Sequence, residues 1–464
     1  MAKDAQGALV ALHRFGLGAR PGELDIVGGD PRGFVERQVA ARDAARLDDL
    51  KLLPGDAAYR ANRMAELQRE RERAARKGLP PPPVMGADGK PVPPPVAIED
   101  TLLRLEVGAR FHRMVGAEGG LAERLVSFWS NHFAIATAKG NHVKVLAGPF
   151  EREAIRPHVL GRFADMLRAV ETHPAMLFYL DNNQSVGPQS RNGINTRRGL
   201  NENLAREILE LHTLGVNGGY SQADVTSFAR VITGWTITPP DDDALYGGRF
   251  TFGPARHEPG AHVVLAKTYE EDGIAQGSAV LDDLARHPAT ARHLSRKLAA
   301  HFLADTPPPE LVDRLASRYR ESDGDLGVVM AALVAAAEAW AMPLAKLRTP
   351  QDFLVAGLRA IGRVPQPQGI FFLLAGLGQP LWNPPGPNGW GDTVADWAAP
   401  KGFDARLDLA AQWGRQNAGV DPKDLAEALF GPALSGETRQ AVARAESRPQ
   451  GLAILFMAPE FQRR

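Results

Sequence analysis

The chain has 464 residues, 44% hydrophobic and 23% charged, with 54 Lys+Arg against 54 Asp+Glu and no cysteine. That balance fits a globular protein with a sizeable core. It excludes the basic field of a nucleic-acid binder, disulfide staples, thiolate metal sites and cysteine nucleophiles. No apolar run reaches the roughly 18 residues of a membrane span, and the start, MAKDAQGALVALHRFG, has no signal-peptide core. The location expected from this is cytoplasmic, with export left open.

Period-3.6 patterns dominate in chain order. They predict helices near 31–45, 56–77, 97–115, 119–134, 159–171, 200–214, 221–234, 277–303, 309–320, 325–339, 349–362, 403–415, 421–430 and 435–463. Only Arg249–Phe252 and Val263–Thr268 read as short strands, together one hairpin. The expected fold is mostly α: one large multi-helix domain over 1–464, or two packed helical lobes, with one minor β-hairpin. Residues 56–96 read as an insertion, a highly charged helix (Arg60–Lys77) followed by the Pro-rich run Leu79–Pro95, which suits an exposed, extended linker.

Two irregular segments break the helical pattern. Asp181–Arg198, rich in Asn, Gln, Ser and Gly, has the character of a binding loop and leads into the polar helix at 200–214. Trp382–Trp397 (WNPPGPNGWGDTVADW) carries three tryptophans, which either pack on the helical body or line a pocket.

Candidate chemistry concentrates on the 200–214 helix. At 100° per residue, Leu200, Leu204, Ile208 and Leu211 form one stripe. Asn203, Glu207 and Glu210 adjoin it, and Arg206 is spaced i,i+4 from both Glu202 and Glu210. His212 lies on the far flank of the stripe. Polar groups beside an apolar seam form either a buried structural network or a site. On helix 119–134, His132 shares a face with Leu121, Leu125 and Phe128, and so points inward beside Asn131. Glu207, Glu210, His212, His132 and Arg206 are the expected catalytic groups, with Arg206 as an anion clamp. Asn131, Asn203, Asn201 and Trp235 are expected to contact substrate. One common pocket is expected for Asn131, His132, Asn203, Arg206, Glu207 and His212, with Asp181–Arg198 at its mouth. His257, Glu258 and His262 lack the spacing of a helical zinc motif, and no metal or cofactor is assigned. A Gly-x-Ser-x-Gly elbow, a phosphate loop and a dinucleotide fingerprint are all missing.

Several segments together resemble the bacterial family catalogued as domain of unknown function 1800. They are LHRFGLGARPGEL (12–24), FWSNHF (128–133), MLFYLDNNQSVG (176–187), NENLAREILELHTLGVNGGYSQADVTSFARVITGW (201–235), HEPGAHVVLAKTY (257–269), ARHPATARHLSRKLAAHFLAD (285–305) and LAILFMAPEFQRR (452–464). His262 departs from the Lys of the family pattern. The resemblance implies a helical protein often encoded beside a sulfatase-like protein, and it brings no accepted mechanism. Two functions follow as expectations. One is a hydrolase or transferase acting on a polar substrate, a glycan or peptide. The other is a non-catalytic accessory or assembly protein for a sulfatase-like partner.

Overall fold

The computed structural model describes residues 4–78, 95–196, 199–239 and 247–464. Among these residues helix follows helix, and strand is confined to two short antiparallel pairs. The mostly-α class with a minor hairpin is what the structure has. The hairpin joins His262–Val264 to Lys267–Tyr269, and Leu265 and Ala266 both take positive φ, at 49° and 60°, as a two-residue turn matched to strand twist requires. Phe250–Phe252 pairs instead with Trp235–Ile237, placing Trp235 opposite Phe252. The Pro-rich run expected as a linker lies, except for Pro95, outside the described residues.

Helix boundaries follow capping chemistry. The pattern read as one helix over 277–303 is two, Ile274–Arg286 and Pro288–Phe302. Pro288 has no N–H to continue a helix but suits a first turn, and the His287 ring accepts the Ala289 N–H at 3.1 Å. Thr349 caps Pro350–Ile361 by accepting the Asp352 N–H at 3.1 Å, which sets the Asp352 carboxylate in the first turn at the positive end of that helix. The helix Asn141–Phe150 and its π-helical continuation Glu151–Ile155 run through Gly148 and Pro149 and lie outside the helices that periodicity predicts. Gly148 is required there, since a Cβ would lie 2.3 Å from the Glu106 side chain of the crossing helix Ile98–Gly116. The polar segment is likewise two pieces, α-helical Asn203–Glu207 and π-helical Ile208–Thr213.

One connected apolar cluster runs from Ala8 to Phe461. Pro288–Phe302 packs on Pro309–Glu321, and Pro400–Gln416 on Arg448–Met457. Among the described residues no helix is long and apolar enough to cross a membrane. A Cβ on Gly357 would lie 2.2 Å from the Trp413 ring. Gly357→Ala is therefore expected to destabilise the protein by about 1–3 kcal/mol through overpacking, more than the roughly 1 kcal/mol of helix propensity that Ala adds. A urea titration with an unchanged or higher midpoint would contradict this packing.

Candidate functional site

A cleft of about 290 Å³ opens where the helices Leu121–His132, Pro288–Phe302 and Pro350–Ile361 meet the loop that contains Trp382 and Trp390. Its charged lining is Arg110, Arg296, Lys297 and Lys346 with Asp305, Asp352 and Asp392, and His132 and His301 stand among them. Lys297 and His301 are four residues apart on one helix and so share a face.

His132 ends its helix inside the protein. Its Nε2 lies 3.1 Å from the His212 carbonyl oxygen, and its Nδ1 lies 2.9 Å from Lys297 Nζ. A carbonyl can only accept, so Nε2 carries the proton, and Nδ1 accepts from the Lys297 amine. Burial, reinforced by Lys297, holds His132 well below the ordinary imidazole range, which keeps it neutral. The carbonyl it uses comes from the π-helix Ile208–Thr213, whose Leu211 carbonyl faces His293 Nε2 in the same way at 3.3 Å. These end-of-helix acceptors have no intrahelical donor, and the imidazoles supply one. Behind them, His212 Nδ1 meets Glu171 at 2.8 Å, both side chains buried. Lys297 has no carboxylate within ion-pair distance among the described residues; burial lowers it to about 8, with Arg296 adding to the shift.

His301 forms the second centre. Its Nδ1 sits 2.8 Å from Asp392 Oδ2, and its buried Nε2 has no hydrogen-bond partner among the described residues. The carboxylate fixes the proton on Nδ1 and leaves the Nε2 lone pair available, the arrangement a general base needs. Burial pushes His301 down to about 4, more than Asp392 lifts it, whereas the imidazole and Arg464 hold Asp392 down to about 2 despite its burial. Arg464 bridges the two acids, with Nε 2.8 Å from Asp352 and Nη2 3.1 Å from Asp392. Lys346 reaches Asp305 at 2.8 Å and also contacts the Asp392 carbonyl.

The tryptophan loop is pinned to the same helices. Asn131 donates to the Trp390 carbonyl and accepts from the Trp390 N–H, each at 2.8 Å. Gly389, with φ of 75°, allows this approach, because a Cβ there would lie 2.3 Å from the Asn131 carbonyl oxygen. Trp382 holds a φ of 47°, a conformation costing a bulky residue about 1–3 kcal/mol. Thr137 N–H to the Trp382 carbonyl (2.8 Å) and Ala138 N–H to Asn383 Oδ1 (3.1 Å) keep it there. Trp382 and Trp390 thus line the cleft.

The structure brings together only part of the set expected from sequence. Asn131 and His132 line the cleft, and His212 lies one layer behind, holding His132 through its carbonyl. Arg206, the expected anion clamp, is engaged by Glu202 and Gln222, each at 3.0 Å. Glu210 accepts from Tyr220 at 3.1 Å. Glu207 is half-buried, pushed up mainly by burial, and lies near His212 and Tyr179 rather than on the cleft. Asn203 and Asn201 cap the local turn through an Asn203 N–H to Asn201 Oδ1 bond of 2.9 Å. Trp235 is fully buried against Gly277 and Phe250. The described part of the Asp181–Arg198 loop packs on the turn at Glu258, with Gln189 N–H to Glu258 Oε2 at 2.8 Å, and lines no part of the cleft. Among the described residues no group of three or more His, Asp or Glu is placed to hold a metal.

Lys297, His301, Asp352, Asp392 and Arg464 were not singled out from sequence. The spacing of Lys297 and His301 within RKLAAHF was the one available signal; Asp392 and Arg464 reach the site only through tertiary folding. Asp352→Asn would leave Arg124 buried without its carboxylate and Arg464 with Asp392 alone, and a loss on the order of 3–5 kcal/mol is expected in denaturant titration; a loss under about 1 kcal/mol would contradict the network. Acidification tests the buried imidazoles. His293 and His301 fall from 6.5 to about 4, and burial likewise holds His13 and His132 well below 6.5. The unfolded chain therefore takes up these protons first. Stability is full above about pH 6.5 and is lost as pH falls towards 4. A melting temperature that stays flat across that window would contradict the burial.

No curated protein and no solved structure matches the chain. A family model described as a protein of unknown function (DUF1800) matches residues 10–463, and so both walls of the cleft. The chain belongs to the DUF1800 family.

Proposed function

We propose that this protein is an enzyme, a hydrolase or group transferase acting on a polar substrate such as a glycan or peptide, and that the cleft at His301 is its active site. One observation carries the reading: His301, oriented by Asp392, keeps an unpartnered Nε2 one helical turn from a lysine that has no carboxylate partner.

In this scheme His301 Nε2 takes the proton of a water, or of an acceptor hydroxyl in transfer, as its oxygen attacks the substrate's electrophilic centre. Asp392 stabilises the resulting imidazolium. The Lys297 ammonium, positioned by His132, and the Arg296 guanidinium stabilise the negative charge that develops on the substrate. The imidazolium then returns its proton to the leaving group, and product departs with His301 neutral again. The polar helix supports the cleft through its main chain: the His212 carbonyl orients His132, which orients Lys297.

Turnover of a panel of aryl esters, phosphates, sulfates, glycosides and peptide anilides tests the reading. His301→Asn and Lys297→Met are each expected to lower kcat by about 10²–10⁴-fold with little change in melting temperature, while Glu207→Gln retains activity. Activity should need His301 unprotonated and Lys297 protonated, so it rises as pH passes about 4 and falls as pH passes about 8. Full turnover by His301→Asn, or loss only in Glu207→Gln, would move the site to the polar helix.

An accessory role beside a sulfatase-like protein is the second reading. It is favoured by Phe372, 77% exposed on the helix Pro367–Gly376, which packs on Ile98–Gly116. In that case Phe372→Asp would abolish complex formation while the cleft variants would be silent.

A further inference from the structure

We propose that the ligand of this cleft is a sugar ring bearing an anionic group, with the anion held by Arg296 and Lys297 and the ring lying along the Trp382–Trp390 wall. The proposal rests on the reading above for the location of the site and adds its substrate class.

The charge argument comes from which groups are already occupied. All three cleft carboxylates have cationic partners: Asp305 has Lys346, Asp352 has Arg464 and Arg124, and Asp392 has Arg464 and Lys346. Of the four lining cations, Lys346 is used in this way and Arg110 is paired with the buried Glu151, which leaves two. Arg296 makes no hydrogen bond or ion pair among the described residues, and Lys297 has only the neutral His132. Neither has a carboxylate within ion-pair distance among the described residues, and although the Asp392 charge acts on Lys297, two adjacent cations facing one cleft attract an anion. Lys297 remains exposed enough to donate its other N–H bonds into the cleft.

The ring argument comes from the opposite wall. The strained backbone at Trp382 and the paired hydrogen bonds between the Asn131 amide and the Trp390 main chain fix the backbone that carries two cleft-lining indoles. A strained residue kept in place by its surroundings points to use of its side chain. Arg110 lies over the Trp382 ring at 5.7 Å, which leaves a one-sided platform rather than a slot. A flat base gains from stacking between two surfaces, whereas a puckered sugar offers one apolar face and an edge of hydroxyls. Asn388 and Gln379 also line the cleft, and since the Gln379 oxygen accepts the Gln351 N–H at 2.8 Å, its NH2 group is the part left to donate to those hydroxyls. The volume of about 290 Å³ stands at the small end of ligand sites, suited to a ring with its substituent.

Calorimetric titration of the intact protein with glucuronate, glucose 6-phosphate and glucosamine 6-sulfate tests this, with glucose, inorganic phosphate and inorganic sulfate as comparators. At least one acidic sugar should bind roughly tenfold or more tightly than glucose and, for the phosphate and sulfate sugars, than the matching inorganic anion, and the three arms identify the anion as carboxylate, phosphate or sulfate. Arg296→Met and Lys297→Met should each weaken that binding by roughly tenfold. Trp382→Ala should weaken the acidic sugar and leave the inorganic anion unchanged. Arg296 is exposed, so its variant reports on the site even where another fails to fold. Glucose binding as well as the acidic sugars, an inorganic anion binding as well as its sugar, or no binding by any of the six would overturn the proposal. Binding without turnover would remove the enzymatic reading and keep the ligand class; turnover confined to neutral substrates would do the reverse.

Discussion

The buried carboxylate of Asp352 is the constraint around which the rest of the site is arranged. It sits in the first turn of its helix and faces Arg464 at 2.8 Å and Arg124 at 3.5 Å, with the charge of Arg348 acting on it as well. Those cations hold the carboxyl far below its usual range in spite of complete burial. Arg464 comes from the end of the chain, Arg124 from the helix that carries His132, and Arg464 also grips Asp392 of the tryptophan loop. One anion thus ties three distant stretches of sequence to one point. Buried ion pairs of this kind contribute little net stability over an apolar substitute, but they tolerate few alternative arrangements. That trade is reasonable where the product is a fixed geometry.

The cleft's chemistry follows from the same burial. Desolvation keeps the imidazoles of His132 and His301 neutral, and each has one nitrogen committed to a fixed partner: His132 to a main-chain carbonyl, His301 to a carboxylate. The two therefore present opposite tautomers to the cleft. His132 directs its lone pair at Lys297 and positions it, while His301 keeps its lone pair unspent. Asp392 connects His301 to the ion network, and Arg464 also reaches that residue directly, donating to the His301 carbonyl at 2.8 Å and lying 3.5 Å from Nδ1.

Periodicity made the helical class legible, because an apolar stripe at 3.6 residues survives whatever the tertiary context. It failed where local signals conflict. The helix Asn141–Phe150, with Gly148 and Pro149 in its last turn, is not among the helices that periodicity predicts, and Gly148 is needed there for the crossing with Ile98–Gly116. The site was legible in part. His132 was found because its helix face is otherwise apolar, and Asn131 because it lies beside His132. The density of Glu, Arg and Asn at 201–210 drew attention to side chains that the structure engages locally, while that segment's contribution to the cleft is the carbonyl of His212, which no side-chain pattern encodes. Asp392 and Arg464 are 72 residues apart, a pairing no local spacing reveals.

The tautomer and protonation of His301 test this account most directly. A ¹⁵N titration of the selectively labelled imidazole should show Nδ1 protonated and Nε2 bare at neutral pH, with the ring taking up a second proton only as pH approaches about 4. A proton on Nε2 at neutral pH, or titration at the ordinary value of 6.5, would mean that Asp392 and burial do not hold His301 as a base, and the cleft would lose its catalytic reading.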